Sequence, residues 1–109
     1  MLTNRHNEIA ESIMIILMTP LGQRVMRPTF GCRIHELLFA PVEPETLSMA
    51  EEYVEEALAM WEPRIELLSI TGTVNPEFDN ALDIEILYRQ KDERDPRTLV
   101  YPFYLIPEE

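Results

Sequence analysis

Three arrangements of residues could do chemistry. Cys32 and His35 lie three positions apart and are the types needed for a thiolate nucleophile and its base. Twenty acidic residues are spread along the chain. A glycosidase needs two carboxyl groups across a cleft, about 5–9.5 Å apart, with one kept protonated by an apolar pocket. Glu62-Pro63-Arg64 sets a carboxylate beside a guanidinium, and the two can grip each other through parallel hydrogen bonds.

The first two arrangements fall short. No third group or oxyanion-forming loop accompanies Cys32 and His35. Among twenty carboxylates some pair always meets the glycosidase distance, and the sequence singles out none. A chain of 109 residues also leaves little room for a polysaccharide groove. Three scattered glycines make no phosphate-binding or dinucleotide loop. One cysteine rules out an internal disulfide. With two histidines, His6 and His35, and no CxxC pair, neither a zinc site nor any cofactor is expected. Cys32 reads as a small buried apolar residue.

The charge pattern is more informative. The net charge is −11. Residues 43–62 hold seven glutamates and no basic residue, whereas Arg5, Arg24, Arg27 and Arg33 make residues 1–42 slightly basic. Such a surface repels a phosphate backbone, so nucleic acid is not an expected partner, and a basic patch on another protein is. Arg24, Arg27 and Arg33 are expected either to meet acidic neighbours or to pack on this chain's own acidic helix, with a slight preference for the second. No apolar run is long enough to cross a bilayer. No secretory leader is evident, so synthesis and assembly in the cytoplasm are expected.

The elements that must position these residues follow from periodicity. Ile9, Ile13, Ile16 and Leu17 recur at helical spacing over 8–18, and Thr19-Pro20 ends that helix. Residues 33–39 read as one or two helical turns. Residues 44–61 are the clearest helix, opened by Pro44 and striped by Leu47, Ala50, Val54, Ala57, Leu58 and Trp61. Glu51, Glu52, Glu55 and Glu56 lie off that stripe, as a solvated face or a contact for a basic neighbour. After Pro63 the period becomes that of strands: 65–74, 82–89 and 98–106. The fold class is α+β, a single domain over 1–109. N-terminal helices pack on an antiparallel sheet of three to four strands with an edge open to strand exchange.

The last strand is unusual. Pro102 lies within it and cannot donate to a ladder, which places the strand at a sheet edge or a bulge. Yet Leu99, Val100, Tyr101, Phe103, Tyr104 and Leu105 are apolar on both faces. Its second face or its edge must be covered, either by a partner strand or by the N-terminal region of the same chain.

Three blocks carry a family resemblance: Thr19-Pro20-Leu21-Gly22 with Arg24-Val25-Met26-Arg27-Pro28 and Phe30-Gly31; Trp61-Glu62-Pro63-Arg64-Ile65; and Leu99-Val100-Tyr101-Pro102-Phe103. In this order they resemble the lysozyme-like baseplate wedge family of contractile phage tails, which has type VI secretion and extracellular injection-system members. The resemblance implies a non-enzymatic structural role at the base of the sheath, in the baseplate of a phage or phage tail-like particle. There the domain would template sheath polymerisation by exchanging strands with the first sheath ring. It implies sheath subunits, other wedge proteins and hub or tube-proximal proteins as partners, with six copies per baseplate. It also implies that Glu62, Pro63 and Arg64 hold wedge neighbours, and that the segment Leu99 to Leu105 takes part in strand exchange. From the residues alone, the triplet can equally be an internal joint between helix and strand.

Two other readings stand beside this one. A distant branch of the superfamily inhibits an adaptor protein, so a regulatory binding module is the alternative. The family's traditional name points to a peptidoglycan hydrolase, for which the sequence shows no pocketed acid.

Overall fold

The computed structural model describes residues 5–106. The expectations that touch residues 1–4 and 107–109, and the side chains of Arg5 and His6, lie outside the described part.

Helix α1 spans Arg5–Met18 and buries Ile9, Ile13, Ile16 and Leu17. It stops where Pro20 forbids continuation, and the Thr19 hydroxyl turns back to donate to Ile15 O at 2.6 Å. Residues 19–32 then make a closed loop. Gly22 N donates to Pro28 O at 2.8 Å, and Cys32 N to Thr19 O at 2.9 Å. Gly31, at φ +129°, brings the loop's end back against Thr19, where a Cβ would sit 2.2 Å from Thr19 O. A short 3-10 turn follows at Arg33–Leu37, shorter than the expected 33–39.

Helix α2 spans Pro44–Trp61, with Pro44 in its first turn. It buries Thr46, Ala50, Tyr53, Val54, Ala57 and Leu58. The expected stripe is right at its centre, whereas Leu47 and Trp61 at its ends are half-buried and Tyr53 was not foreseen. Glu52, Glu55 and Glu56 face outward.

Three strands complete the domain: β1 Ile65–Val74, β2 Ala81–Gln90 and β3 Pro96–Tyr104. They form one antiparallel sheet in the order β1-β2-β3. Asn75 makes the first turn, its side-chain oxygen accepting from Glu77 N at 2.8 Å and Phe78 N at 3.2 Å. β3 ends two residues earlier than the pattern predicts. Leu105 N leaves the ladder to donate to Asn80 O, and Ile106 N donates to Leu38 O, each at 2.7 Å. Both helices cover one face of the sheet. Ile9, Ile13, Leu17, Val54 and Leu58 meet Leu82, Ile84, Ile86, Tyr101 and Phe103 in one core. The fold is the expected α+β, with an open three-stranded sheet whose edges are β1 and β3.

Candidate partner-binding surfaces

Glu62, Pro63 and Arg64 sit where α2 becomes β1. Pro63 pushes Glu62 out of helical geometry, to φ −127° and ψ 76°. The Glu62 side chain turns inward and is 1% exposed. Arg64, 48% exposed, grips it with both prongs: Nε donates to Oε1 at 2.7 Å and Nη2 to Oε2 at 2.9 Å. Burial by itself would raise the Glu62 pKa. Hydrogen bonds from Arg64 and from Ser12 on α1, together with the Arg64 charge, outweigh it and hold the carboxyl below its ordinary range. The Arg64 guanidinium is correspondingly shifted up by its hydrogen bonds to Glu62. The triplet is therefore an internal joint tying α1, α2 and β1. Its outward surfaces are Pro63 and the rest of Arg64.

The second predicted segment, Leu99 to Leu105, divides by alternation. Tyr101, Phe103 and Leu105 are buried, and Leu99 packs half-buried on the core. Tyr101 also donates its hydroxyl to Leu17 O at 3.4 Å. Val100, Pro102 and Tyr104 lie exposed on the opposite face. The N-terminal helix thus covers the inner face, and no other described element covers the outer one. Pro102 pairs with Asp83 in an unbroken register, so it marks an edge strand and not a bulge. Ala81 O accepts from Asn75 N, so the odd residues of β2 turn their backbone groups to β1 and the even ones to β3. Pro102 and Pro96, opposite odd residues, therefore turn their donor-less nitrogens toward the open edge.

Cys32 and His35 do not meet as nucleophile and base. Cys32 Sγ lies 3.5 Å from Tyr53 O, and His35 Nε2 lies 2.8 Å from Leu17 O. Burial pushes the Cys32 thiol up from 9.0 to about 11, the wrong direction for a thiolate. Glu62 is the one buried acid among the described residues. Its shift is opposite to that of a proton-donating glycosidase acid. No helix among the described residues is long and apolar enough to cross a membrane.

The basic loop turns out to be an aromatic clasp. Arg24 lies 4.3 Å over the Phe30 ring, Arg27 5.8 Å over Trp61 and Arg33 4.4 Å over Tyr53. Trp61 and Tyr53 belong to α2, so the expected packing on the acidic helix holds for Arg27 and Arg33, and Arg33 also pairs there with Glu56 at 3.7 Å. Val25 and Met26 project from the loop tip, 94% and 90% exposed. Sequence reasoning passed over this pair. The signal was there, because two apolar residues between arginines in a proline-closed loop have no core to enter.

Among the described residues the surfaces this domain offers a neighbour are the outward side of the Glu62–Arg64 joint and the two sheet edges that no strand pairs. The chain belongs to the family described as "Baseplate wedge protein gp25", whose model matches residues 3–95. It is 31% identical over 94 residues to Baseplate protein W of Escherichia phage P2, covering 86% of this chain and 80% of that one. It is 34% identical over 88 residues to the Baseplate wedge protein gp25 of Enterobacteria phage T4, covering 80% of this chain and 65% of that one. A crystal structure of a candidate tail lysozyme from Geobacter sulfurreducens superposes with a TM-score of 0.89 at 48% identity, covering 97% and 96% of the two chains. A chain of the post-contraction Pyocin R2 baseplate gives 0.65 at 29% identity, covering 78% and 84%.

Proposed function

We infer that this chain works as a structural component of the baseplate wedge in a contractile tail system, and we propose that it templates the first ring of the sheath by strand exchange. One observation carries the second step. Among the described residues the sheet has three strands and neither of its edges is paired, while β3 shows a bare outer face with Val100, Pro102 and Tyr104. A sheath strand laid against this sheet would complete it. Leu99, Val100, Tyr101, Pro102, Phe103, Tyr104 and Leu105 form the strand-exchange segment in this reading, with Tyr101, Phe103 and Leu105 anchoring it to the core. Sheath subunits are the partners on that side. Other wedge proteins meet the outward surfaces of Pro63 and Arg64, and hub or tube-proximal proteins complete the surroundings.

The test is a count of sheaths by negative-stain electron microscopy in producing cells. The strains are intact, gene-deleted and Val100→Lys. The reading expects tubes or baseplates without extended sheath after deletion, and the same loss in a well-folded Val100→Lys protein. Normal sheaths in the deletion strain would refute it and turn attention to a regulatory binding role.

A further inference from the structure

The opposite edge of the sheet differs from that of β3 in a way that specifies an occupant. In β1 after the bulge between Leu67 and Ser69 the even residues turn their backbone groups outward, because Asn75 N donates inward to Ala81 O. Ile70, Gly72 and Val74 therefore present N–H groups to the free edge, with no proline among them. One of these donors is already taken. Gly72 N donates to Glu51 Oε2 on α2 at 2.6 Å. A Cβ at Gly72 would stand 3.4 Å from both Glu51 Oε2 and Ile84 Cδ1, in van der Waals contact. The Glu51 carboxylate thus occupies the position that the carbonyl of an added strand would take.

Beside this edge runs a groove of about 510 Å³ between α2 and β1, reached by Ser48, Glu51, Glu52, Glu55, Glu56 and Ile70. Its one cation, Arg33, is engaged by Glu36 and Glu56 at its end. A strand added to β1 would run about 4.8 Å from it, and every second side chain would point into this groove.

We propose that the β1 edge receives an extended segment of a neighbouring protein with Lys or Arg at alternate positions. The segment's carbonyl replaces Glu51 on Gly72 N–H, and the released carboxylate pairs with one of the incoming cations. In the isolated chain Glu51 guards the β1 edge against unwanted pairing. This inference rests on the reading that foreign strands complete the sheet, and it adds a second edge and the chemistry of its occupant.

The test uses the full chain assembled into baseplates in producing cells, with a benzophenone amino acid at Ser48 beside the β1 edge or at Val100 on β3. Irradiation and mass spectrometry identify the segment captured. The Ser48 probe is expected to capture an extended segment with alternate basic residues. Glu52→Lys with Glu55→Lys, both at exposed positions, is expected to lower that yield at least tenfold. Capture at Val100 but not at Ser48 overturns the β1 assignment and leaves strand exchange standing. Capture at neither removes both. An uncharged or helical segment at Ser48, or a yield indifferent to the charge reversal, also overturns the proposal.

Discussion

Arg64 holds Glu62 by two hydrogen bonds of 2.7 and 2.9 Å, with the carboxylate buried and the guanidinium half in solvent. This asymmetry decides what each substitution does. Arg64→Ala strands a buried charge that only Ser12 and the backbone N–H of residue 64, 3.4 Å from Oε1, still serve. Breaking a fully buried pair costs about 3–5 kcal/mol, and the exposure of Arg64 reduces the expected loss to about 1–3 kcal/mol. Arg64→Lys restores part of it, because an ammonium lacks the fork. Urea denaturation measures all three proteins. Equal stability of wild type and Arg64→Ala would remove the joint.

The same pair sets an acid dependence. The folded pKa of Glu62 lies below its unfolded value, so the unfolded chain takes up the proton first as pH falls. The stabilisation is complete above the unfolded value of about 4.3 and is lost as pH falls through the folded one. Urea midpoints between pH 6 and 3 are expected to fall less steeply for Glu62→Gln than for wild type. Parallel curves would contradict the assignment.

Cys32 is expected to resist alkylation at pH 8 in the folded protein and to react readily in urea, because it is 1% exposed with a thiol pKa of about 11. The sign at alkaline pH follows. Its folded pKa is raised, so the unfolded chain ionises first, and stability falls as pH rises from about 9 towards 11. Iodoacetamide labelling followed by mass spectrometry reads the first effect. Fast labelling of the native chain would place the thiol at the surface.

Two glycines with positive φ should respond differently to alanine. Gly22, at φ +87°, has nothing within 4 Å of a new Cβ, so Gly22→Ala costs only the left-handed backbone conformation, about 1–2 kcal/mol. Gly31→Ala meets Thr19 O at 2.2 Å and must also break the closure of loop 19–32. It is expected to be the more damaging of the two by thermal melting. The reverse order would mean that the loop closes differently.

Val100→Lys separates folding from assembly. Val100 is exposed and faces Glu85 across the ladder, so a lysine there should change stability by no more than about 0.5 kcal/mol. Sheath assembly is expected to fail all the same. A melting temperature that drops with the sheath count would make the effect one of folding.

Periodicity carried most of the fold. The proline-opened helix over 44–61 and the strand over 65–74 coincide with α2 and β1 because local pattern and tertiary burial agree there. β3 is less faithful. Its apolar run continues to Ile106, but Leu105 and Ile106 bond to Asn80 and Leu38, partners distant in the chain that no local pattern names. The Glu51–Gly72 bond was announced only faintly, by a lone glycine inside a β-branched strand.

The sequence by itself determined the α+β order of elements, the restriction of a strand containing Pro102 to an edge or a bulge, and the break at Glu62-Pro63, because each follows from backbone sterics and side-chain period. Tertiary structure decided the rest. It turned Glu62 inward onto Ser12 and Arg64, parted Cys32 from His35, set arginines over aromatic rings and placed a carboxylate on the β1 edge. Those outcomes depend on which surfaces meet when two helices cover one face of a sheet. That is a matter of long-range packing, which residue spacing along the chain does not encode.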